Sequence, residues 1–516
     1  MAIDTSPTLP VVDTTGGSVQ GFRRDDVHVF RGIPYGASTE GPNRFQPPQP
    51  VEPWTGVRAS RSWGPICPQE SWKLRLDDNH LFVSGSPIGH PSEDCLNLNV
   101  WTPGIDDVRR PVMVWLHGGA FFLYSSQVPQ WDGENLARHG DVVVVSMNHR
   151  IGALGFLNLA EQGEGYARSG TAGMLDLVAA LEWVRDNIAD FGGDPDSVTI
   201  FGQSGGGAKV AHLMAMPRAR GLFHRAAIQS GGLQARPPHE TAPVGAAVLD
   251  ELGIASTDIA RLHDVPAEAL VRAASVAIGL TGETPGGAPA WAPTLDGDVI
   301  PCLPFEDEAL ALSAHVPLLN GTLLNEFVNG VDRPELETMH EGQLRGMVTG
   351  RFGDTAPEII DAYRAVAPDA SPFELFSQIV AGWMFRASAV DRSRRHAASS
   401  SAGTYMYWFT FQPELFGASA TAYHSLEVPF VFRNTDRCEQ STGGGAAARG
   451  LSERMADAWV QFARTGNPSH PGLPDWPAYD EQGGATMMLD RTCEVRAEPD
   501  RDARPLVERS GVPAVR

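Results

Sequence analysis

Four short, nearly uninterrupted apolar runs mark the first half of the chain: Val112-Met-Val-Trp-Leu116, Val142-Val-Val-Val-Ser-Met147, Val198-Thr-Ile-Phe201 and Ala226-Ala-Ile228. A strand with one wet face alternates apolar and polar residues, so runs without alternation predict strands covered on both faces, as in a parallel sheet. Between the second and third runs, Met174, Leu177, Leu181, Val184 and Ile188 fall at helical spacing, and Gly192-Gly193-Asp194-Pro195 stops the pattern. Strand, helix, strand predicts a parallel crossover. Further β-like runs at Val316-Pro-Leu-Leu319 and Thr404-Tyr-Met-Tyr-Trp-Phe-Thr410 are separated by helix-patterned, Ala-rich segments such as Asp258–Ala277 and Pro357–Val366. The pattern predicts an α/β protein, a doubly wound, mostly parallel central sheet flanked by helices. Residues 1–516 read as one domain, with a helical insertion at roughly 235–400 forming a cap or side region. Ser441-Thr-Gly-Gly-Gly445 reads as a mobile surface loop.

Composition narrows the partners. Against 40 Lys and Arg stand 62 Asp and Glu, a net charge of −22 over 516 residues. Such a surface repels phosphate backbones and anionic lipid heads, so the expected partner is a small neutral or weakly cationic molecule rather than nucleic acid or a membrane. The first thirty residues carry no basic start followed by an apolar stretch, and no apolar run approaches the length of a membrane span, so a cytoplasmic protein is expected. Only Lys73 and Lys209 are lysines, an arginine bias that reads as GC-rich, bacterial codon usage. The five cysteines, Cys67, Cys95, Cys302, Cys438 and Cys493, form no CxxC pair and no zinc-ligand spacing, which argues against metal chemistry. Cys67 and Cys95 would close a loop of about 28 residues, worth roughly 3.6 kcal/mol if oxidised; in a reducing cytosol both stay thiols. Sequence leaves the oligomeric state open.

One motif carries chemistry. Gly202-Gln203-Ser204-Gly205-Gly206 follows the run Val198–Phe201 and precedes Val210, Leu213 and Met214 at helical spacing. This is G-x-S-x-G between strand and helix, a turn that projects a serine oxygen above the sheet edge. With 55 glycines in the chain a chance match is unsurprising, so the weight rests on the strand–turn–helix setting. A stabiliser for a developing oxyanion is offered by His117-Gly118-Gly119-Ala120, directly after the strand Val112–Leu116, where glycines leave backbone amides bare.

Taken together, these residues resemble the type-B carboxylesterase and cholinesterase family of α/β-hydrolases. The similarity runs along most of the chain: Phe30-Arg-Gly-Ile-Pro-Tyr35, Glu93-Asp-Cys-Leu-Asn-Leu-Asn-Val-Trp101, Asn148-His-Arg-Ile-Gly-Ala-Leu-Gly-Phe156, Phe191-Gly-Gly-Asp-Pro195, Gln229-Ser-Gly231 and Phe462-Ala-Arg-Thr-Gly-Asn-Pro468. The resemblance implies a serine hydrolase whose acid lies in Gly321-Thr-Leu-Leu-Asn-Glu326 and whose base lies in Tyr423-His424-Ser-Leu-Glu-Val-Pro-Phe-Val-Phe432. Ser204, Glu326 and His424 are then the expected catalytic residues, in the chain order usual for the fold. The amides of Gly118, Gly119 and Gly205 are the expected oxyanion donors, and Ser230 is expected to hydrogen-bond the acid. No cofactor is expected.

The implied activity is hydrolysis of uncharged alkyl or aryl carboxylic esters through an acyl-enzyme, with aryl carbamate or amide hydrolysis as a variant and a non-catalytic binding protein as the rival. The chain departs from its relatives at Gln203 and Gly205, where the family commonly has Glu and Ala. An amide beside the nucleophile removes a charge that would attract cationic esters. Trp72, Phe121, Phe122 and Tyr124 are the expected aromatic lining of an apolar pocket.

Overall fold

The computed structural model describes residues 3–4, 9–69, 89–232, 235–278, 291–330, 334–414 and 421–510. Its strands are β1 (Ile3–Asp4), β2 (Val11–Thr14), β3 (Gly17–Gln20), β4 (Phe22–Arg24), β5 (Val27–Pro34), β6 (Val57–Ala59), β7 (Asn97–Thr102) and β8 (Arg110–Leu116), followed by β9 (Val143–Met147), β10 (Gly193–Gln203), β11 (Arg225–Gln229), β12 (Leu318–Leu323), β13 (Thr404–Phe409), β14 (Ala485–Leu489) and β15 (Glu494–Ala497). Twelve form one sheet in the order β1-β4-β5-β7-β9-β8-β10-β11-β12-β13-β14-β15, and β2, β3 and β6 form a small second sheet. From β9 to β14 every neighbouring pair is parallel; both edges are finished by antiparallel strands.

The apolar runs are strands covered on both faces, and successive residues serve opposite layers. Val112, Val114 and Leu116 face a core built with Met174, Leu177, Leu181 and Val184 of the helix Ala172–Asn187 and with Val210 and Leu213 of the helix Gly205–Ala215. Met113 and Trp115 face the other core, against Leu451, Met455, Trp459 and Phe462 of the helix Ala446–Thr465. The chain leaves β8 for β9 on one side and returns to β10 on the other. At such a switch the crossover helices lie on opposite faces and a crevice opens beyond the carboxyl ends of the strands. Leu116 and Gln203, the last residues of β8 and β10, stand at its edge.

Several expectations change in detail. The insertion at 235–400 is not continuous: β12 enters the sheet within it and separates helices at Pro238–Glu251, Ala267–Ala277 and Asp307–Ser313 from those at Glu341–Phe352, Ala356–Val366, Pro372–Ala381 and Ala387–Ser399. Asp258–Ala277 is broken into a short 3-10 stretch ending at His263 and the helix Ala267–Ala277, because Pro266 lacks the amide needed to continue. Ser441 and Thr442 are buried in a helical turn, Glu439–Thr442, that stops at left-handed Gly443; the glycines cap a turn. Cys67 and Cys95, the candidate disulfide, are free buried thiols, and Cys67 Sγ accepts the Ile151 N–H at 3.4 Å.

Trp115 is fully buried against Trp131, Phe201 and Phe432, with ring centroids 5.8, 5.0 and 5.0 Å away. Replacement by alanine should cost about 3–5 kcal/mol, read as a lower urea midpoint at unchanged slope.

Candidate active site

The elbow is built by close approach. β10 ends at Gln203 and the helix starts at Gly205, leaving Ser204 at φ 57°, ψ −124°, a conformation costing a non-glycine residue about 1–3 kcal/mol. Its N–H donates to Gln229 O (2.8 Å) and its carbonyl accepts from Ala208 N (2.9 Å). A Cβ on Gly206 would sit on the Leu116 carbonyl, so only glycine lets the helix start against the end of β8. Likewise a Cβ on Gly205 would meet the Ala120 carbonyl, which accounts for the missing alanine here.

The same approach assembles the amides. Among the described residues, the N–H groups of Gly118, Gly119 and Gly205 have no intramolecular acceptor. A Cβ placed on Gly118 would lie 3.7 Å from Ser204 Cβ, so this loop runs beside the serine.

Glu326 follows β12 and His424 follows β13, neighbouring parallel strands whose extensions are tied by backbone bonds from His424 N to Glu326 O (2.9 Å) and Glu326 N to Ala422 O (3.2 Å). Three donors converge on the Glu326 carboxylate: His424 Nδ1 on Oε2 (2.5 Å), and Ser230 Oγ (2.7 Å) and Leu323 N (2.9 Å) on Oε1. Glu326 is 1 % exposed, so each bond acts with little competition from water. Ser204, Ser230, Glu326 and Ser425 all have positive φ, so backbone strain concentrates where these loops meet.

A second buried carboxyl, Glu427, accepts from Gln229 Nε2 (3.3 Å), whose own oxygen is held by Trp459 Nε1 (3.2 Å). Burial, and then the nearby Glu326, push its pKa up from 4.5 to about 8, so it carries a proton at neutral pH.

Ser204 and His424 line one cavity of about 320 Å³ but share no hydrogen bond. His424 Nε2 instead accepts from the side-chain amide of Gln203 (3.1 Å), while Ser425 Oγ donates to Gln203 Oε1 (3.0 Å) and turns that amide toward the ring. The cavity wall is aromatic and apolar, with Phe122, Tyr124, Trp131, Phe327, Met384 and Phe385, and no Asp, Glu, Lys or Arg lines it among the described residues. Phe327, 50 % exposed, lies over the His424 ring at 4.0 Å between centroids, and Phe385 at 5.2 Å. A π-helical turn, Gly382–Arg386, presents Met384 and Phe385. Of the expected aromatics, Phe122 and Tyr124 line the cavity; Phe121 turns into the core against Phe156; Trp72 lies outside the described residues. Ser425 and Glu427 stand inside the segment already singled out around His424, whereas Trp131, Met384 and Phe385 carry no local signal. Among the described residues no group of three or more His, Cys, Asp or Glu is placed to hold a metal ion, and no helix is long and apolar enough to cross a membrane.

A serine on a strand–helix elbow at the switch of a mostly parallel sheet is the architecture of the α/β-hydrolase fold. Comparison with known proteins agrees. The sequence model of the carboxylesterase family matches residues 8–503. The para-nitrobenzyl esterase of Bacillus subtilis (strain 168) is 37% identical over 505 residues, covering 96% of this chain and 98% of its own, and the phenmedipham hydrolase of Pseudarthrobacter oxydans is 34% identical over 514 residues, covering 96% and 98%. The solved carboxylesterase of Geobacillus stearothermophilus superposes with a TM-score of 0.82 at 36% identity, covering 96% of this chain and 99% of its own. The chain belongs to the carboxylesterase family and is a carboxylic ester hydrolase.

Two predictions test the electrostatics. In Gln203→Glu a carboxylate faces the ring and favours its cationic form, so the acidic limb of kcat/KM should move up by about one pH unit; an unmoved limb contradicts this. Glu427 binds a proton in the folded chain that the unfolded chain releases above its ordinary value, so the stability it contributes is present below 4.5 and lost as pH rises to about 8. The Tm of Glu427→Gln relative to the parent should therefore be higher at pH 8 than at pH 5; equal differences at both would contradict it.

Proposed function

We propose that this carboxylesterase acts on small, uncharged alkyl or aryl esters through an acyl-enzyme on Ser204, with His424 as base, Glu326 as the orienting acid and the amides of Gly118, Gly119 and Gly205 as oxyanion donors. The observation that carries the reading is the 2.5 Å bond from His424 Nδ1 to Glu326 Oε2: with that proton committed, the ring's Nε2 is the free base, and it opens on the cavity Ser204 lines. For chemistry to begin, the Gln203 amide yields Nε2 to the serine hydroxyl. His424 then takes the Ser204 proton as Oγ attacks the ester carbonyl, and Glu326 stabilises the imidazolium. The oxyanion is received by the three amides; losing one such donor typically costs about 2.7–4 kcal/mol of transition-state stabilisation. His424 returns the proton to the departing alcohol, then activates water to release the acid. Ser230 and Leu323 hold Glu326 in place.

The uncharged wall of the cavity, the Phe327 ring over His424 and the amide at 203 all support a neutral ester with an aromatic or alkyl group, and the surplus of 22 negative charges supports a small molecule over a polyanion. The family match over 8–503 supports reading 1–516 as a single catalytic domain.

Purified protein should turn over p-nitrophenyl butyrate, with kcat falling on the order of 10⁶-fold in Ser204→Ala. Undiminished turnover in that variant would remove the mechanism.

A further inference from the structure

Lys209 is one of two lysines in the chain and lies fully buried in the helix that starts at the elbow, five positions beyond Ser204. Its Nζ donates to the carbonyl oxygen of His117 at 3.0 Å. Among the described residues no carboxylate pairs with it; besides that carbonyl it faces the Phe121 ring, 5.6 Å from Nζ. A buried cation without a counter-ion is costly, and burial lowers its pKa from 10.5 to about 7. Packing alone would be served better by methionine.

The His117 carbonyl is one end of a peptide unit whose other end is the Gly118 N–H. A donor on an amide oxygen draws charge from its nitrogen and strengthens the N–H as a donor, more so when that donor is charged and the site is dry. The next peptide unit, which carries the Gly119 N–H, is restrained as well, since His117 Nδ1 contacts its Gly118 carbonyl oxygen at 2.9 Å. We propose that Lys209 is a positioning residue of the oxyanion hole, its ammonium fixing and polarising the His117–Gly118 peptide so that the Gly118 amide binds a tetrahedral oxyanion more strongly than an ester carbonyl. This rests on the reading of Gly118 as an oxyanion donor.

The neighbouring groups leave Lys209 as the cation of this cluster. The His117 and His149 rings are 4.7 Å apart between centroids, and burial, then Lys209, hold both well below the ordinary imidazole range. On the lysine's own helix, burial lowers His212 to about 4. Arg150, beyond His149, is tied to Asp176 by bonds of 2.8 and 2.6 Å. The polarising charge is therefore present at low pH and fades as pH rises through about 7.

The test uses Lys209→Met and Lys209→Gln, the second keeping an N–H at the same place, with rates expressed per serine titrated by a phosphonate. A trifluoromethyl ketone reports the oxyanion: Ser204 Oγ adds to its carbonyl carbon, the serine proton goes to His424, and the carbonyl oxygen becomes the anion. Removing a whole oxyanion donor costs 10²- to 10³-fold; weakening one should lower kcat and ketone affinity by about tenfold in the Met variant, with KM nearly unchanged and the Gln variant between. The parent-to-Met ratio of kcat should shrink from pH 6 to pH 9. Equal rates per titrated site, a loss confined to KM, or a ratio that is the same at all pH would overturn the role of Lys209. A parent enzyme that titrates normally separates that failure from failure of the Ser204 reading, and a parent that binds the ketone more tightly than substrate separates it from failure of the oxyanion reading.

Discussion

The site depends on one close approach, the backbone of Gly206 lying against the Leu116 carbonyl at the end of the neighbouring strand. That contact drives the first turn of the helix Gly205–Ala215 onto the tip of β8, where the chain has just emerged as Gly118 and Gly119. Amides from two separate segments thereby come beside the same serine, and the strained φ of Ser204 is held by the Gln229 carbonyl and the helix behind it. No side chain fits between these backbones, which explains why glycines, rather than any charged group, define this half of the site.

The other half is a problem of burying charge. Glu326 sits dry, and three donors aimed at its oxygens compensate for lost water. Glu427 sits close by and takes up a proton rather than a second negative charge. Gln203 continues the same economy on the substrate side: an amide makes polar contacts to His424 and Ser425 without adding charge to an apolar cavity.

How much of this was legible in the chain follows from how local each signal is. Strands β8 to β11 stood out because burial on both faces removes polar alternation, and the elbow because its glycines answer a local steric demand. The strands at or near the sheet margins leave no such signal: β4, β6 and β15 are partly or wholly exposed, and short stretches such as Val57–Ala59 contain no apolar run. β12 shows in the sequence as a run at Val316–Leu319, but its helical surroundings obscure its place in the sheet, which only pairing with β11 and β13 defines. Glu326, Ser230 and His424 were found by family pattern; their convergence is a property of strand order. Trp131, Met384 and Phe385 come from segments far apart in sequence, so nothing along the chain marks them as neighbours. Gln203 reads in the sequence as a lost charge, whereas its bond to His424 depends on the Ser425 hydroxyl, a tertiary detail.

In the proposed mechanism the Ser204 oxygen carries the acyl group between the two halves of the reaction. This is tested most directly by quenching turnover of p-nitrophenyl butyrate in acid, digesting the protein and locating the butyryl group by mass spectrometry. A butyryl ester on Ser204 should accumulate during turnover and vanish when substrate is exhausted. A butyryl group on any other residue, or its absence from Ser204 while product forms, would contradict that mechanism.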